Sequence, residues 1–246
     1  MRFRTYLFWA IALLLLFFIV LRLEGATRPH RAKFDPVSLR PLYPELCGDC
    51  AEDETLRPLY QENEFADLNR LHRFTDDDEI AHYAREKLLV RVPVRGVGFF
   101  IDPRIKPRSS ASLTYAFPIV LDYLKSLSED FVDVFPGAEL KVTSLVRSRG
   151  RQQHMATPFI RKGKRLVRNP NWVPGATFCI PERYGHCSVH DTGYAFDLSI
   201  RDLSEKRVRW LADRFKEDYG QGLVSVIYEP KLKHFHVMVL PPKGSL

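Results

Sequence analysis

The stretch SVHDTGYAFD, Ser188 to Asp197, decides how this chain is read, together with His234-Phe235-His236 near its end. It supplies a histidine, His190, a carboxylate seven positions later, Asp197, and two further histidines downstream. Imidazole nitrogen and carboxylate oxygen are the donors of a catalytic zinc site, which keeps one position open for water or substrate. Strand alternation turns this spacing into geometry. Counting from Tyr194, Phe196, Leu198 and Ile200 share one face, the core side, and Ala195, Asp197 and Ser199 share the other. His190 precedes Gly193, and a glycine at that point lets the chain curl back towards Asp197.

The closing strands extend the pattern. Phe235, Val237 and Val239 alternate as core, which places His234 and His236 together on the opposite face. The preceding strand ends at Tyr228-Glu229, and Pro230 to Lys233 form a four-residue loop. That register sets Glu229 across from His234, and cross-strand partners project from the same face. Asp197, two histidines and a second carboxylate therefore converge on one surface. A zinc ion held by three side chains lowers the pKa of bound water to ~7 and polarises a carbonyl oxygen. A nearby base then takes the water's proton and passes it to the leaving amine. Glu229 and His234 are the two candidates for that base; the reading favours Glu229, with His234 orienting the water or stabilising the transition state.

The remaining sequence supplies the frame. A chain of 246 residues with 45% hydrophobic and 12% aromatic content can pack one ordinary domain with appendages. The net charge of +7 and pI near 9.3 favour anionic surroundings. No recognition helix or aromatic RNA-binding signature accompanies the charge, so nucleic acid is not an expected partner. A denser basic group, Arg161, Lys162, Lys164, Arg165 and Arg168, reads as a solvated loop.

Arg2 and Arg4 precede an uncharged run from Thr5 to Leu21, closed by Arg22. At ~1.5 Å per residue the run reaches roughly 25 Å, and the flanking arginines can snorkel to span the ~30 Å hydrocarbon core. Leu23-Glu24-Gly25-Ala26 is a poor cleavage site, so residues 1–24 are expected to be an uncleaved signal anchor or transmembrane helix. Cys47 with Cys50 and Cys179 with Cys187 form two local pairs, which suit disulfide loops in an oxidising compartment.

Residues 25–88 read as a proline-rich tether followed by a helical segment capped at Thr75, with Asp76 to Glu79 in its first turn. Residues 89–246 form the main domain. Extended strands are expected over Leu89 to Ile101, a helix over Ser112 to Phe135 and a strand over Leu140 to Val146. Another strand follows over Gly193 to Ile200, then a helix over Ser204 to Tyr219 and the two closing strands. The fold class is α+β, a small antiparallel sheet carrying the zinc site and packed by helices. His30, His72, His82, His154 and His186 read as ordinary structural histidines.

The pattern Ser188-x-His190-x-x-Gly193-x-Ala195-x-Asp197, followed by His234-x-His236, resembles the zinc D-Ala-D-Ala carboxypeptidase and peptidoglycan endopeptidase superfamily. That superfamily shares its fold with the zinc-bearing signalling domain of hedgehog proteins, and the resemblance is nearest to its uncharacterised peptidases. It covers roughly Leu89 to Leu240. It implies His190, Asp197 and His236 as zinc ligands. It also implies a substrate-binding group of Arg147 and Ser148, in a serine-arginine turn, with Gln152 and Ser188. Many members place the catalytic glutamate three residues before the last histidine ligand. Here that position is Lys233, and Glu229 lies seven before His236, nearer the hedgehog arrangement. The expectation is zinc-dependent hydrolysis of an amide bond in peptidoglycan peptides, on the outer side of the inner (cytoplasmic) membrane, with a single N-terminal span. The alternative is a non-catalytic, zinc-stabilised module that binds wall peptide or a protein partner.

Overall fold

The computed structural model describes residues 57–103, 114–157, 159–162, 165–168, 188–229 and 232–242. The apolar run Thr5 to Leu21, both cysteine pairs, His30 and His186 lie outside the described residues. Among the described residues no helix is long and apolar enough to cross a membrane.

The fold is α+β. Among the described residues two helices come first, α1 (Arg57–Leu68) and α2 (Asp77–Arg85). Four short strands follow: β1 (Val90–Arg91), β2 (Arg95–Gly96), β3 (Phe99–Ile101) and β4 (Tyr115–Ala116). Helix α3 (Pro118–Val134) leads to β5 (Leu140–Ser144), and α4 (Arg149–Ala156) to the hairpin β6 (Phe159–Lys162) and β7 (Arg165–Arg168). A short turn of 3-10 helix (Val189–Thr192) enters β8 (Ala195–Ser199). Helix α5 (Glu205–Gly220) then leads to the closing pair β9 (Val224–Glu229) and β10 (His234–Val239).

Six strands make one sheet in the order β2-β3-β5-β8-β10-β9. The sheet is mixed rather than wholly antiparallel, because β3 and β5 run parallel. Between them the chain passes through α3, and only a crossover of that length can return a strand in the same direction. Pro118 sits in the first turn of α3, where its fixed φ suits the helix and its missing N–H leaves no bond unmade.

The core lies on one face of the sheet. Val120, Leu124, Leu127 and Phe131 recur at helical spacing along α3 and are fully buried, each contributing about 1.5–3 kcal/mol. From α5, Trp210 meets Phe131 at 5.6 Å between ring centres, and Phe215 meets Phe235 of β10 at 5.1 Å. The two helices are also tied by polar contacts. Tyr123 donates to Asp218 at 2.6 Å, and Arg214 pairs with both Asp218 and Asp130. The expected core side of β8, Phe196 and Leu198, therefore faces helices.

The other face of β8 is covered too. Ala195, Asp197 and Ser199 are as buried as their neighbours. Sequence alternation foresaw which side chains share that face but not its cover, which comes from α1, the 3-10 turn and the loop after β5. A bulge between Val142 and Ser144 re-aims the end of β5, so that Ser144 stands opposite Asp197.

Helix α2 begins one residue later than expected: Asp76 is its N-cap, accepting from Glu79 N at 2.9 Å. Glu79 reaches back to Thr75 N at 2.7 Å, so Thr75, the expected cap, is a donor in the same box.

Candidate metal centre

Three elements deliver the converging side chains. The 3-10 turn is closed by Thr192 Oγ1 donating to Val189 O (2.6 Å) and by Gly193 N–H donating to His190 O (3.3 Å). Gly193 ends it with φ +76, in the left-handed region that glycine enters without strain. A Cβ there would meet the rings of Phe117 and Phe74 at 3.2–3.3 Å. The turn thus holds His190 back over β8, where its Nε2 lies 3.0 Å from Asp197 Oδ1. Asp197 pairs directly with His236 across β8 and β10, and His236 Nδ1 lies 2.9 Å from the same oxygen.

These three residues are 2–4% exposed. Their donor atoms all lie within 4.8 Å of one another, and they form a group that can hold a metal ion. The donor set of two imidazoles and a carboxylate suits such an ion, and Asp197 Oδ1 lies 2.9–3.0 Å from a nitrogen of each histidine.

The second oxygen of Asp197 is held by Arg147, whose NH2 donates to Oδ2 at 2.9 Å. Arg147 also donates from Nε to Ser144 Oγ (2.6 Å) and from NH1 to Gln152 Oε1 (2.9 Å). Its guanidinium is therefore a brace on Asp197, at a bulge that points Ser144 towards it. Ser148 accepts from Arg151 N at the start of α4 and donates to Asp77 at 2.8 Å, so its hydroxyl ties α4 to α2. Ser188 is buried at the start of the 3-10 turn and makes no side-chain capping bond.

His234 and Glu229 stand opposite one another, as the four-residue loop requires. His234 Nε2 lies 2.6 Å from Glu229 Oε2 and 4.0 Å from Asp197 Oδ1. Their side chains are 13% and 27% exposed, so this pair forms the water-facing side of the site. Lys233 lies in the turn instead, with φ +56 and its N–H bonded to Glu229 O at 2.8 Å.

Charge differs sharply between the two buried histidines. Burial pushes His190 down to about 4, so its ring is neutral at ordinary pH and keeps a lone pair for a metal. Burial disfavours charge on His236 as well, but Glu62 and Asp197 overcome it and raise His236 well above the usual histidine range. Burial alone would raise Asp197; the facing histidines reverse that and hold its carboxyl well below the ordinary value.

Glu62, on α1, was not singled out in the sequence. It is 1% exposed, and its Oε2 lies 3.2 Å from His236 Nε2. Its other oxygen accepts from Ser225 Oγ of β9 at 2.8 Å. A lone glutamate in a segment rich in polar residues carries no local signal, so no pattern marks α1 as part of the site. Asp191, the neighbour of His190, was missed as well. It is fully buried and accepts from Arg73 NH1 (2.8 Å) and Arg149 Nε (3.0 Å).

No protein-family model matches the chain, and no curated protein matches it.

Proposed function

We propose that this chain is a zinc-dependent amidohydrolase acting on peptidoglycan peptides, as a carboxypeptidase or endopeptidase. The observation that carries the reading is the His190–Asp197–His236 group with the His234–Glu229 pair beside it, 4.0 Å from Asp197 Oδ1. Three protein ligands leave a coordination position for water, which is the arrangement of catalytic rather than structural zinc. Zinc held there supplies Lewis acidity and water of pKa ~7.

The chain's own residues do the rest. Glu229, the more exposed of its pair, takes the proton of the attacking water and returns it to the leaving amine. His234, 2.6 Å away, orients Glu229 and stabilises charge as the tetrahedral centre forms. Arg147 fixes Asp197 through one N–H, and its N–H groups beyond those already bonded receive the substrate's carbonyl or carboxylate. Gln152 and Ser144 hold that guanidinium in plane. The run Thr5 to Leu21 anchors the enzyme in the inner membrane with the domain outside, where peptidoglycan lies and cysteine pairs oxidise.

The test is digestion of purified peptidoglycan and of D-Ala-D-Ala peptides by the zinc-loaded full chain, with fragments read by mass spectrometry. Release of peptide fragments or D-alanine is expected, and Glu229→Gln should lower it ~10²–10⁴-fold with zinc content unchanged. A zinc-loaded chain that leaves both substrates intact, with Glu229→Gln indistinguishable from wild type in peptide binding, is a zinc-stabilised binding module instead.

A further inference from the structure

We infer that Glu62 is a positioning residue of the metal centre: from α1 it accepts the Nε2–H of His236 and so fixes the tautomer that turns Nδ1 towards the metal. The inference rests on the metal reading of His190, Asp197 and His236.

A neutral imidazole carries a single N–H, and only the other nitrogen has a lone pair to give. His236 has an acceptor on each side, Asp197 Oδ1 at 2.9 Å from Nδ1 and Glu62 Oε2 at 3.2 Å from Nε2. When metal takes Nδ1 beside Asp197, the one N–H must lie on Nε2, where Glu62 receives it. Glu62 is itself held at its second oxygen by Ser225 Oγ, which fixes the plane of the carboxylate and through it the ring.

The burial of Glu62 argues the same way. A carboxylate that is 1% exposed is costly unless donors meet it, and among the described residues its donors are Ser225 and His236 rather than an arginine or lysine. On that side Glu62 faces a metal ligand. The other histidine is different. His190 Nδ1 is buried with no hydrogen-bond partner among the described residues, so only His236 is oriented from behind. A metal-bound histidine whose outer N–H is held by a carboxylate is a stiffer and more basic ligand. α1, separated from β10 by most of the chain, becomes the element that supplies this hold.

Two measurements on the full chain test this. Long-range proton–nitrogen NMR of the zinc-loaded wild type should find His236 protonated at Nε2 and zinc-bound at Nδ1; zinc on Nε2 would overturn the inference. Zinc affinity, by competition with a chromophoric chelator, should fall about 10–100-fold in Glu62→Ala and be largely rescued in Glu62→Gln, whose amide oxygen still accepts. Wild-type affinity in Glu62→Ala also overturns it. The NMR result needs no variant and stands if Glu62→Ala fails to fold. A wild-type chain that takes up no zinc at all sinks the metal reading itself, which is a different outcome from either.

Discussion

Two fully buried carboxylates lie six residues apart in this chain, Asp191 and Asp197, and they are neutralised in opposite ways. Asp191 is gripped by two guanidiniums, Arg73 and Arg149, whose charge is permanent. Burial alone would raise its pKa, and the two arginines offset part of that. Its backbone joins in, since Phe74 N–H donates to Asp191 O at 2.7 Å. The result is a staple between the 3-10 turn, the segment before α2 and the start of α4. Asp197 instead faces His190 and His236 through one oxygen and a single arginine through the other. Imidazoles can give up a proton and accept a metal, whereas guanidiniums cannot. The first carboxylate builds the turn; the second, presented by that turn's neighbouring strand, is left with exchangeable partners.

The contrast is broken most directly by exchanging the losses. Asp197→Ala should reduce zinc affinity by more than about a hundredfold, beyond the ~10–100-fold cost of losing an outer partner. Asp191→Ala should instead act on stability. It takes from the buried Arg73 one of its two carboxylate partners, leaving Asp67 at 3.3 Å and Asn63 at 2.8 Å, and should cost about 1–3 kcal/mol read by denaturant unfolding. Zinc stoichiometry in the folded fraction should stay at the wild-type level. If Asp191→Ala lost zinc without losing stability, the division between staple and site would be wrong.

The exchangeable partners of Asp197 also make metal uptake depend on pH. His236 holds a proton in the metal-free protein because two carboxylates face it, and its pKa lies above the usual value. Zinc must displace that proton, so apparent affinity should rise with pH by up to about tenfold per unit and level off above the histidine's own pKa. His190, near 4, adds nothing to the slope across neutral pH. A flat affinity between pH 5 and 7, by chelator competition, would show that His236 is not the protonated partner.

The smallest expected effect tests the turn itself. Gly193→Ala puts a Cβ into a left-handed position against two aromatic rings, which should cost about 1–2 kcal/mol in thermal or denaturant unfolding. Weaker zinc binding should accompany it, because Gly193 sets the angle at which His190 returns over β8.

What the sequence made legible follows from the reach of its signals. Alternation has a period of two, so SVHDTGYAFD and the closing hairpin placed Asp197, His234 and His236 on one face without tertiary information. The loop of Pro230 to Lys233 then set the register of Glu229 with His234. The helices α3 and α5 were visible in their apolar spacing, and the parallel pair β3–β5 was not, since direction is not written into so short a strand. Glu62 and Arg73 escaped for a plainer reason. Their contacts with His236 and Asp191 reach across 174 and 118 positions, and a single acid or arginine in a polar segment looks like any solvated one. The bulge that aims Ser144 at Asp197 is likewise a product of pairing, not of local composition.

His190, Asp197 and His236 form a group that can hold one metal ion. Elemental analysis of the full chain after equilibration with zinc and removal of the excess tests it most directly, with His190→Ala, Asp197→Ala and His236→Ala run beside it. One zinc per wild-type chain and almost none in each variant are expected. No zinc in the wild type, or zinc retained at full stoichiometry by all three variants, would contradict it.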